Sequence, residues 1–320
     1  MKFYKYQGAG NDFLIADNRE GNITEKDGVL TAYLEDGTVW SKSIAELCDR
    51  RYGVGADGLM LLDAGTKLRA AGTAPDVDTS ERSSEGGPEG TDFHMTYFNS
   101  DGSGGMMCGN GGRCIVAFAK DCGVEGIEIQ DGMWKYEFTA ADGHHEAYVM
   151  SEEGTEKIVR LKMKDVDTYQ EYETLAGVNL PSQGYFLETG TRHYVRFVED
   201  LGQYDIVAEG RDIRYNAQEL QPVGANVNFV EPDNGVLKVR TYEKGVEDET
   251  FACGTGIVAS ALASYVKGIE PQSSDASGRI CYDIKAKKDS LSVDFLLSEP
   301  GFAKDVFLTG PATFVCTIMV

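Results

Sequence analysis

The feature of this sequence that most constrains its fold is an internal repeat. The motif Cys108-Gly109-Asn110-Gly111 opens a segment that is apolar through residues 114–119 and stops at Gly123. The motif Cys253-Gly254-Thr255-Gly256 opens a second segment, apolar through residues 257–263, that stops near Gly268. Both are of helical length and apolar nearly all round, which is typical of a helix buried on every side. The repeat therefore predicts an α+β fold of two pseudo-symmetric domains, each a curled, mostly antiparallel sheet around a central buried helix.

The same repeat suggests the domain limits. The chain has 320 residues, enough for two domains that each bury a core of their own. We expect a boundary near residues 135–150, with an N-terminal domain over residues 1–140 and a C-terminal domain over residues 141–299.

Local patterns predict several other elements. Ser43 and Glu46 form a capping box for a short helix that Gly53 would end. Strand-like runs cover residues 59–62, 94–98, 195–198 and 237–242. Residues 66–92 are rich in Gly, Ser, Pro, Glu and Asp without periodicity, which predicts a long surface excursion.

Charge and cysteine usage exclude several classes of protein. Acidic residues outnumber basic ones by 52 to 30, and the net charge of −22 disfavours binding to nucleic acid or to an anionic membrane. No apolar run is long enough to span a bilayer, and the chain does not start like a secretory signal. Seven cysteines without a Cys-x-x-Cys pair indicate a reducing, cytoplasmic location, and the four histidines lack the spacing of metal ligands.

A cysteine at the start of a helix has distinctive chemistry. The unpaired N–H groups and the positive end of the helix dipole favour a thiolate there, and neighbouring glycines let an anionic group approach the backbone. A structural cysteine with glycines for close packing explains either motif alone about equally well. Two copies of the motif favour a catalytic role for the cysteines, because inverting a carbon centre next to a carboxylate requires a base on one face and an acid on the other. Two helix N-termini could also stabilise the carbanion that develops.

A competing motif is a dinucleotide fingerprint. Residues 53–58 read Gly-x-Gly-x-x-Gly, but that fingerprint needs a strand before it and a helix after it. Here a helix-like segment precedes and a strand-like segment follows. We therefore reject nucleotide binding and expect no cofactor and no metal.

Seven motifs along the chain together resemble the diaminopimelate epimerase family, and the resemblance covers nearly the whole chain. They are GAGNDF at 8–13, RYGVGADG at 51–58, FNSDGS at 98–103, MCGNGGRC at 107–114, NVNF at 226–229, YEKG at 242–245 and ETFACGTG at 249–256. Gly310-Pro311-Ala312 is also similar to the family's closing strand, which implies that residues from about 300 to 320 return to the first domain.

The resemblance implies a set of site residues and a reaction. Cys108 and Cys253 would be the acid–base pair, with Glu243 and His193 supporting catalysis. The implied substrate-binding residues are Asn11, Gly58, Asn99, Gly109, Asn110, Thr191, Asn226, Lys244, Gly254 and Thr255. Without the family context, the asparagines would be read as turn or capping residues and His193 as a half-buried structural imidazole. The implied partner is a small amino acid, and a homodimer is left open.

The sequence departs from the family pattern at two places. Thr191-Arg192-His193 stands where the family has Asn-Pro-His, and Lys244 stands where it has an arginine that holds the distal carboxylate. Lysine offers a point charge instead of a planar fork, so Arg192 is a second candidate for this role. The expected reaction is the conversion of LL-2,6-diaminoheptanedioate to its meso form. A proline or hydroxyproline racemase and a non-catalytic amino-acid-binding relative are the alternatives.

Overall fold

The computed structural model describes residues 1–34, 36–66, 90–105, 107–179, 183–299 and 301–320. The chain divides into two compact units, one of residues Met1–Leu161 with Ala312–Val320 and one of Lys162–Pro311. Most of the excursion expected at residues 66–92 lies outside the described residues.

The first unit is a mixed, mainly antiparallel sheet with a small second sheet. Its strands are β1 (Lys2–Gly8), β2 (Asn11–Asn18), β3 (Ile23–Lys26), β4 (Val29–Tyr33), β5 (Val39–Ser43), β6 (Gly58–Ala64), β7 (Phe93–Asn99), β8 (Ile127–Gln130), β9 (Met133–Ala140), β10 (Gly143–Glu153) and β11 (Glu156–Lys162). Strands β2 and β6 pair in parallel, as do β7 and β9, and the other pairs are antiparallel. Strands β3, β4 and β5 form the small antiparallel sheet. The helices are α1 (Ile44–Cys48) and α2 (Gly109–Asp121).

The change of unit comes later in the chain than the sequence indicated. The expected boundary near residues 135–150 falls inside the β9–β10 hairpin, whose strands pair along most of their length. Strand β11 then pairs back onto β10. The continuous ladder keeps all three strands together, and the second unit begins at Lys162.

The second unit is built in the same way around another helix. Its strands are β12 (Tyr169–Tyr172), β13 (Gly184–Glu188), β14 (Arg192–Phe197), β15 (Asn226–Asp233), β16 (Val236–Glu243), β17 (Asp248–Thr250), β18 (Ser273–Ser274), β19 (Ile280–Lys285) and β20 (Ser290–Leu297). Its α-helices are α3 (Ile206–Asn216) and α4 (Gly254–Val266), with 3₁₀ turns at Leu201–Gln203 and Gln218–Leu220. Pairs β14–β15 and β16–β19 are parallel, and the other strand pairs are antiparallel. The last strand, β21 (Ala303–Met319), starts in this unit, and its end pairs with β1 of the first.

The two predicted buried helices are confirmed. Residues 109–119 of α2 are all buried, and the helix packs against β1, β2, β6 and β10. Helix α4 is buried at Gly254 and from Gly256 to Ser264, and it packs against β13–β16, β19 and β20. Each unit therefore has a sheet that covers most sides of one apolar helix, and the α+β class is confirmed.

The short helix α1 differs from its prediction at one end. It begins after Ser43, whose Oγ accepts the Glu46 N–H at 3.3 Å, as the capping box predicts. It ends at Cys48, before Gly53, because Asp49 is extended and its carboxylate accepts the N–H groups of Arg51 and Tyr52. Strand β6 follows at Gly58, so the helix-then-strand order that argued against a dinucleotide site is confirmed.

Candidate active site

In the first unit, Cys108 caps the buried helix. Its Sγ accepts the N–H of Gly111 at 3.3 Å, and its carbonyl accepts the N–H of Gly112 at 2.8 Å. A Cβ added at Gly111 would lie 3.2 Å from this sulfur, so glycine leaves space for the thiol. A hydrogen bond from a backbone amide at a helix N-terminus stabilises a thiolate.

Two asparagines meet beside this cap. Asn11 begins β2, Asn110 lies in the first turn of α2, and the Asn110 Nδ2 donates to the Asn11 Oδ1 at 2.5 Å. Each amide is also held from its other side. The buried Arg113 donates to the Asn110 Oδ1 at 2.9 Å, and the Asn11 Nδ2 donates to the Asp57 Oδ2 at 3.0 Å. The structure thus joins two of the predicted binding residues next to Cys108.

Gly58 and Asn99 lie at the same end of the sheet as Asn11. Gly58 begins β6 and pairs with Phe13 of β2 and with Asn99 at the end of β7. A Cβ on Gly58 would approach the Tyr97 ring to 2.5 Å, so packing alone requires glycine at this position. Asn99 is exposed and donates to the Ser103 Oγ at 3.0 Å in the turn that follows. Substrate contacts of both residues stay predictions.

A charge cluster supports this end of the sheet. Lys5 Nζ lies 2.8 Å from the Asp12 carboxylate, and Arg50 donates to the carboxylates of both Asp12 and Asp57. Burial by itself would raise the pKa of Asp12, but the hydrogen bonds and charges of Arg50 and Lys5 outweigh it and lower the pKa to about 2. Asp57 is therefore held by the same guanidinium as Asp12.

In the second unit, Cys253 precedes α4, and its sulfur lies next to a threonine. The Cys253 Sγ is 3.4 Å from the Thr255 Oγ1, and the Ile257 N–H donates to the Cys253 carbonyl. The same Thr255 hydroxyl lies 2.8 Å from the His193 Nε2 and 3.1 Å from the Thr191 Oγ1. The predicted residues Thr191, His193, Cys253 and Thr255 thus form one cluster.

His193 is a buried, neutral imidazole. Its side chain has no exposed surface, and burial lowers its pKa to about 3 despite a hydrogen bond from Asn228. The Asn228 Nδ2 also faces the Tyr194 carbonyl, which can only accept, so this nitrogen is a donor and the His193 Nδ1 is the acceptor. The proton of the ring therefore sits on Nε2, toward Thr255. His193 orients the neighbouring hydroxyl groups and has no exposed surface of its own, and its catalytic role stays a prediction.

The buried His193 predicts a pH dependence of stability. Its pKa is about 3 when folded and near 6.5 when unfolded, so its contribution is complete above pH 6.5 and is lost as the pH falls toward 3. Between pH 7 and 5 this group should lower the free energy of unfolding by about 2 kcal/mol, from 1.36 kcal/mol per pH unit over roughly 1.5 units. Urea unfolding at both pH values should show that this decrease is absent in His193→Gln. Equal decreases in parent and variant would contradict the neutral, buried state.

Asn226 ties the ends of two strands together. Its Nδ2 donates to the Arg192 carbonyl at 3.0 Å and to the Thr191 Oγ1 at 3.3 Å, and its Oδ1 accepts the Lys244 N–H at 2.9 Å. It is 6% exposed, and these bonds hold the positions of Thr191 and Lys244. Glu243, at the end of β16, is half-buried, whereas Lys244 is exposed.

Arg192, the second candidate for the distal clamp, makes its contacts on the other face of its strand. Its guanidinium donates to the Leu220 carbonyl at 3.1 Å and lies over the Phe186 ring, 4.9 Å from the centroid. Successive side chains of a strand point to opposite faces, so Arg192 points away from the cluster that His193 joins. The role of distal clamp stays a prediction for Lys244 and for Arg192.

Comparison with known proteins settles the family. A model of the diaminopimelate epimerase family matches residues 3–158 and 185–288, which include both cysteine motifs. The chain belongs to this family. It is 37% identical over 316 residues to diaminopimelate epimerase from Flavobacterium psychrophilum, with 98% of each chain covered. It is 39% identical over 266 residues to diaminopimelate epimerase from Chlorobaculum tepidum, with 82% of each covered.

A solved structure shares the fold. The phenazine biosynthesis protein of the PhzF family from Bacillus anthracis aligns with a TM-score of 0.63, covers 100% of this chain and 98% of its own, and is 13% identical. At that identity the likeness concerns the fold alone.

Three residues that hold the site were not assigned from the sequence. Arg113 and Asp57 fix the asparagine pair, and Asn228 fixes the tautomer of His193. All three lie inside motifs that carry the family resemblance, so the motifs are the signal that could have pointed to them.

Among the described residues, no group of three or more His, Cys, Asp or Glu could hold a metal ion. In the same part of the chain no helix is long and apolar enough to cross a membrane.

Proposed function

We propose that this chain is a diaminopimelate epimerase, which inverts the α-carbon of LL-2,6-diaminoheptanedioate to give the meso form. The observation that carries the proposal is the matched pair of cysteines, one at the N-terminus of the buried helix in each unit, in a chain of the diaminopimelate epimerase family. No cofactor enters the reaction, because the two thiols and the backbone supply an acid, a base and charge stabilisation.

The proton transfers balance without an oxidant or a second substrate. One cysteine, as thiolate, removes the α-proton and becomes a thiol, while the other, as thiol, delivers a proton to the opposite face and becomes a thiolate. The roles exchange when the reaction runs in reverse. The substrate carboxylate would be bound by backbone N–H groups in the first turn of each buried helix, which would stabilise the negative charge that develops on it. These groups belong to Gly109 and Asn110 in the first unit and to Gly254 and Thr255 in the second.

The surroundings of the two sulfurs differ. Cys108 accepts a backbone N–H from Gly111, which favours its charged form. Cys253 has the Thr255 hydroxyl beside it, and this hydroxyl is oriented by the buried His193. We propose that Thr255 and His193 position the second sulfur.

We also propose a reducing, cytoplasmic location, since oxidation of either thiol would remove its acid–base function.

The reaction is tested directly by stereochemistry. Pure protein is incubated with LL-diaminopimelate and, separately, with L-proline, and the stereoisomers are resolved by chiral chromatography. We expect meso-diaminopimelate to accumulate to equilibrium and proline to stay unchanged. Racemised proline with unchanged diaminopimelate would contradict the proposed substrate, and no turnover of either would indicate a binding protein.

Lys244 predicts a specific kinetic change. If its ammonium binds the distal carboxylate equally in the ground state and the transition state, Lys244→Ala should raise KM for diaminopimelate by about tenfold with little change in kcat. Lys238→Ala is the matched control, because Lys238 lies on β16, the strand that Lys244 directly follows, and is paired with Asp233. An unchanged KM in Lys244→Ala would remove this residue from the substrate site.

A further inference from the structure

Four side chains of the first unit form a continuous hydrogen-bonded relay beside Cys108. The Arg113 Nη2 donates to the Asn110 Oδ1 at 2.9 Å, the Asn110 Nδ2 to the Asn11 Oδ1 at 2.5 Å, and the Asn11 Nδ2 to the Asp57 Oδ2 at 3.0 Å. The relay therefore starts at a guanidinium and ends at a carboxylate.

The two charged ends determine the direction of every bond. A guanidinium can only donate, so the oxygen of Asn110 must face Arg113 and its nitrogen must face Asn11. An ionised carboxylate can only accept, so the nitrogen of Asn11 must face Asp57. The orientation of an isolated asparagine amide is ambiguous, because its oxygen and nitrogen can exchange places. Here, reversing either amide would set donor against donor or acceptor against acceptor.

Both ends of the relay are anchored. Arg113 is fully buried, and its Nη1 donates to the Gly109 carbonyl at 3.1 Å. The Asp57 Oδ1 accepts from Arg50 at 2.6 Å. The Asp57 Oδ2, which accepts from Asn11, also accepts the Asp12 N–H at 3.2 Å. The relay is thus joined to the first turn of α2 at one end and to the charge cluster at the other.

We propose that Arg113 and Asp57 are positioning residues that set the hydrogen-bond polarity of Asn11. The oxygen of Asn11 is directed at Asn110, and its nitrogen keeps a second N–H besides the one given to Asp57. Asn11 is half-buried, and with its amide orientation fixed this second N–H can donate to an anionic group. The inference rests on the proposed function, in which that group is a carboxylate of the substrate.

The test variant is Asp57→Asn, which keeps the size of the side chain and removes the charge that fixes the relay. An amide at this position meets donors from both Asn11 and Arg50, so it cannot satisfy both. We expect KM for diaminopimelate to rise by about tenfold with kcat within about threefold of the parent. The reason is that the change weakens a charge-assisted contact that binds the ground state and the transition state equally.

Asp63→Asn is a matched control. Asp63 lies at the other end of the same two strands, where it accepts from Asn18 at 2.6 Å and from the Thr96 hydroxyl at 2.7 Å. An amide at this position can still accept from Asn18 and can donate to the Thr96 hydroxyl, so this change removes the same charge without setting donor against donor. We expect it to leave KM within about twofold of the parent.

The double variant Asn11→Asp with Asp57→Asn separates polarity from stability. It restores a hydrogen bond between the two positions in the reverse direction and presents a carboxylate where the parent presents an N–H. We expect the melting temperature to recover toward the parental value while KM rises by about a further tenfold, because like charges then face each other. Recovery of both quantities would show a merely structural contact and overturn the proposal.

A substrate-free measurement keeps the two proposals distinguishable. With ¹⁵N-asparagine labelling, the side-chain amide signals of Asn11 and Asn110 should both shift in Asp57→Asn and stay in place in Asp63→Asn. Unshifted signals, or shifted signals with a parental KM, overturn the proposed positioning role. If the parent itself does not epimerise diaminopimelate, the proposed function fails, while the signals still report whether the relay exists.

Discussion

Alanine at either Cys108 or Cys253 should lower kcat/KM for LL-diaminopimelate by about a thousandfold or more. A positioned acid or base contributes about 10²–10⁴ to a rate, and here each group serves one face of the carbon alone. Loss of the base stops removal of the proton, and loss of the acid leaves the carbanion without a donor on the face to be protonated. Neither sulfur can replace the other, so the two single variants should be similarly impaired in both directions.

The structure supplies controls for this prediction. Cys316 is exposed on the last strand, and Cys316→Ala should keep parental activity. Cys108→Ser retains a helix cap, since serine accepts the N–H of Gly111 at least as well as cysteine does. It should therefore unfold no more readily than the parent and still be inactive, because a hydroxyl is far less acidic than a thiol. Near-parental epimerase activity in either Cys→Ala variant would contradict the paired-thiol mechanism.

The features that the sequence predicted correctly were the strongly patterned ones. An apolar helix that opens with Cys-Gly-x-Gly is visible twice, and burial on all sides follows from its composition. The glycines at the fourth position of each motif have close contacts in the structure. A Cβ on Gly256 would lie 2.3 Å from the Asn228 Oδ1, and one on Gly111 would lie 3.2 Å from the Cys108 Sγ.

The unit boundary could not be found in this way. The sequence pattern of a hairpin does not say which neighbouring strand it joins, and the β9–β10–β11 ladder carries the first unit on to Leu161. Pairing between distant strands decides such limits, and no local propensity encodes it.

The supporting contacts of the site were missed for a related reason. The bond between Asn11 and Asp57 depends on the parallel register of β2 and β6, and the bond between His193 and Asn228 depends on that of β14 and β15. Neither register is present in the local sequence. The side-chain direction of Arg192 was predictable, because a strand that turns His193 inward turns its neighbour to the opposite face.

A second prediction with a large expected effect concerns the incorporation of solvent deuterium into the product. In D₂O, the thiol that protonates the product has exchanged with solvent before the substrate binds. The proton removed from the substrate leaves on the other sulfur, on the other face. Every product molecule should therefore carry deuterium at the inverted carbon from the first turnover, while unreacted substrate stays protiated at early times. A single base that removes and returns the same proton would carry part of the substrate hydrogen into the product.

The most direct test of the paired-thiol account is therefore mass spectrometry of the early product formed in D₂O, starting separately from LL- and meso-diaminopimelate. The account predicts one deuterium per product molecule in both directions, at conversions of a few per cent, with no deuterium in the remaining substrate. Product that retains the substrate hydrogen in either direction would contradict it.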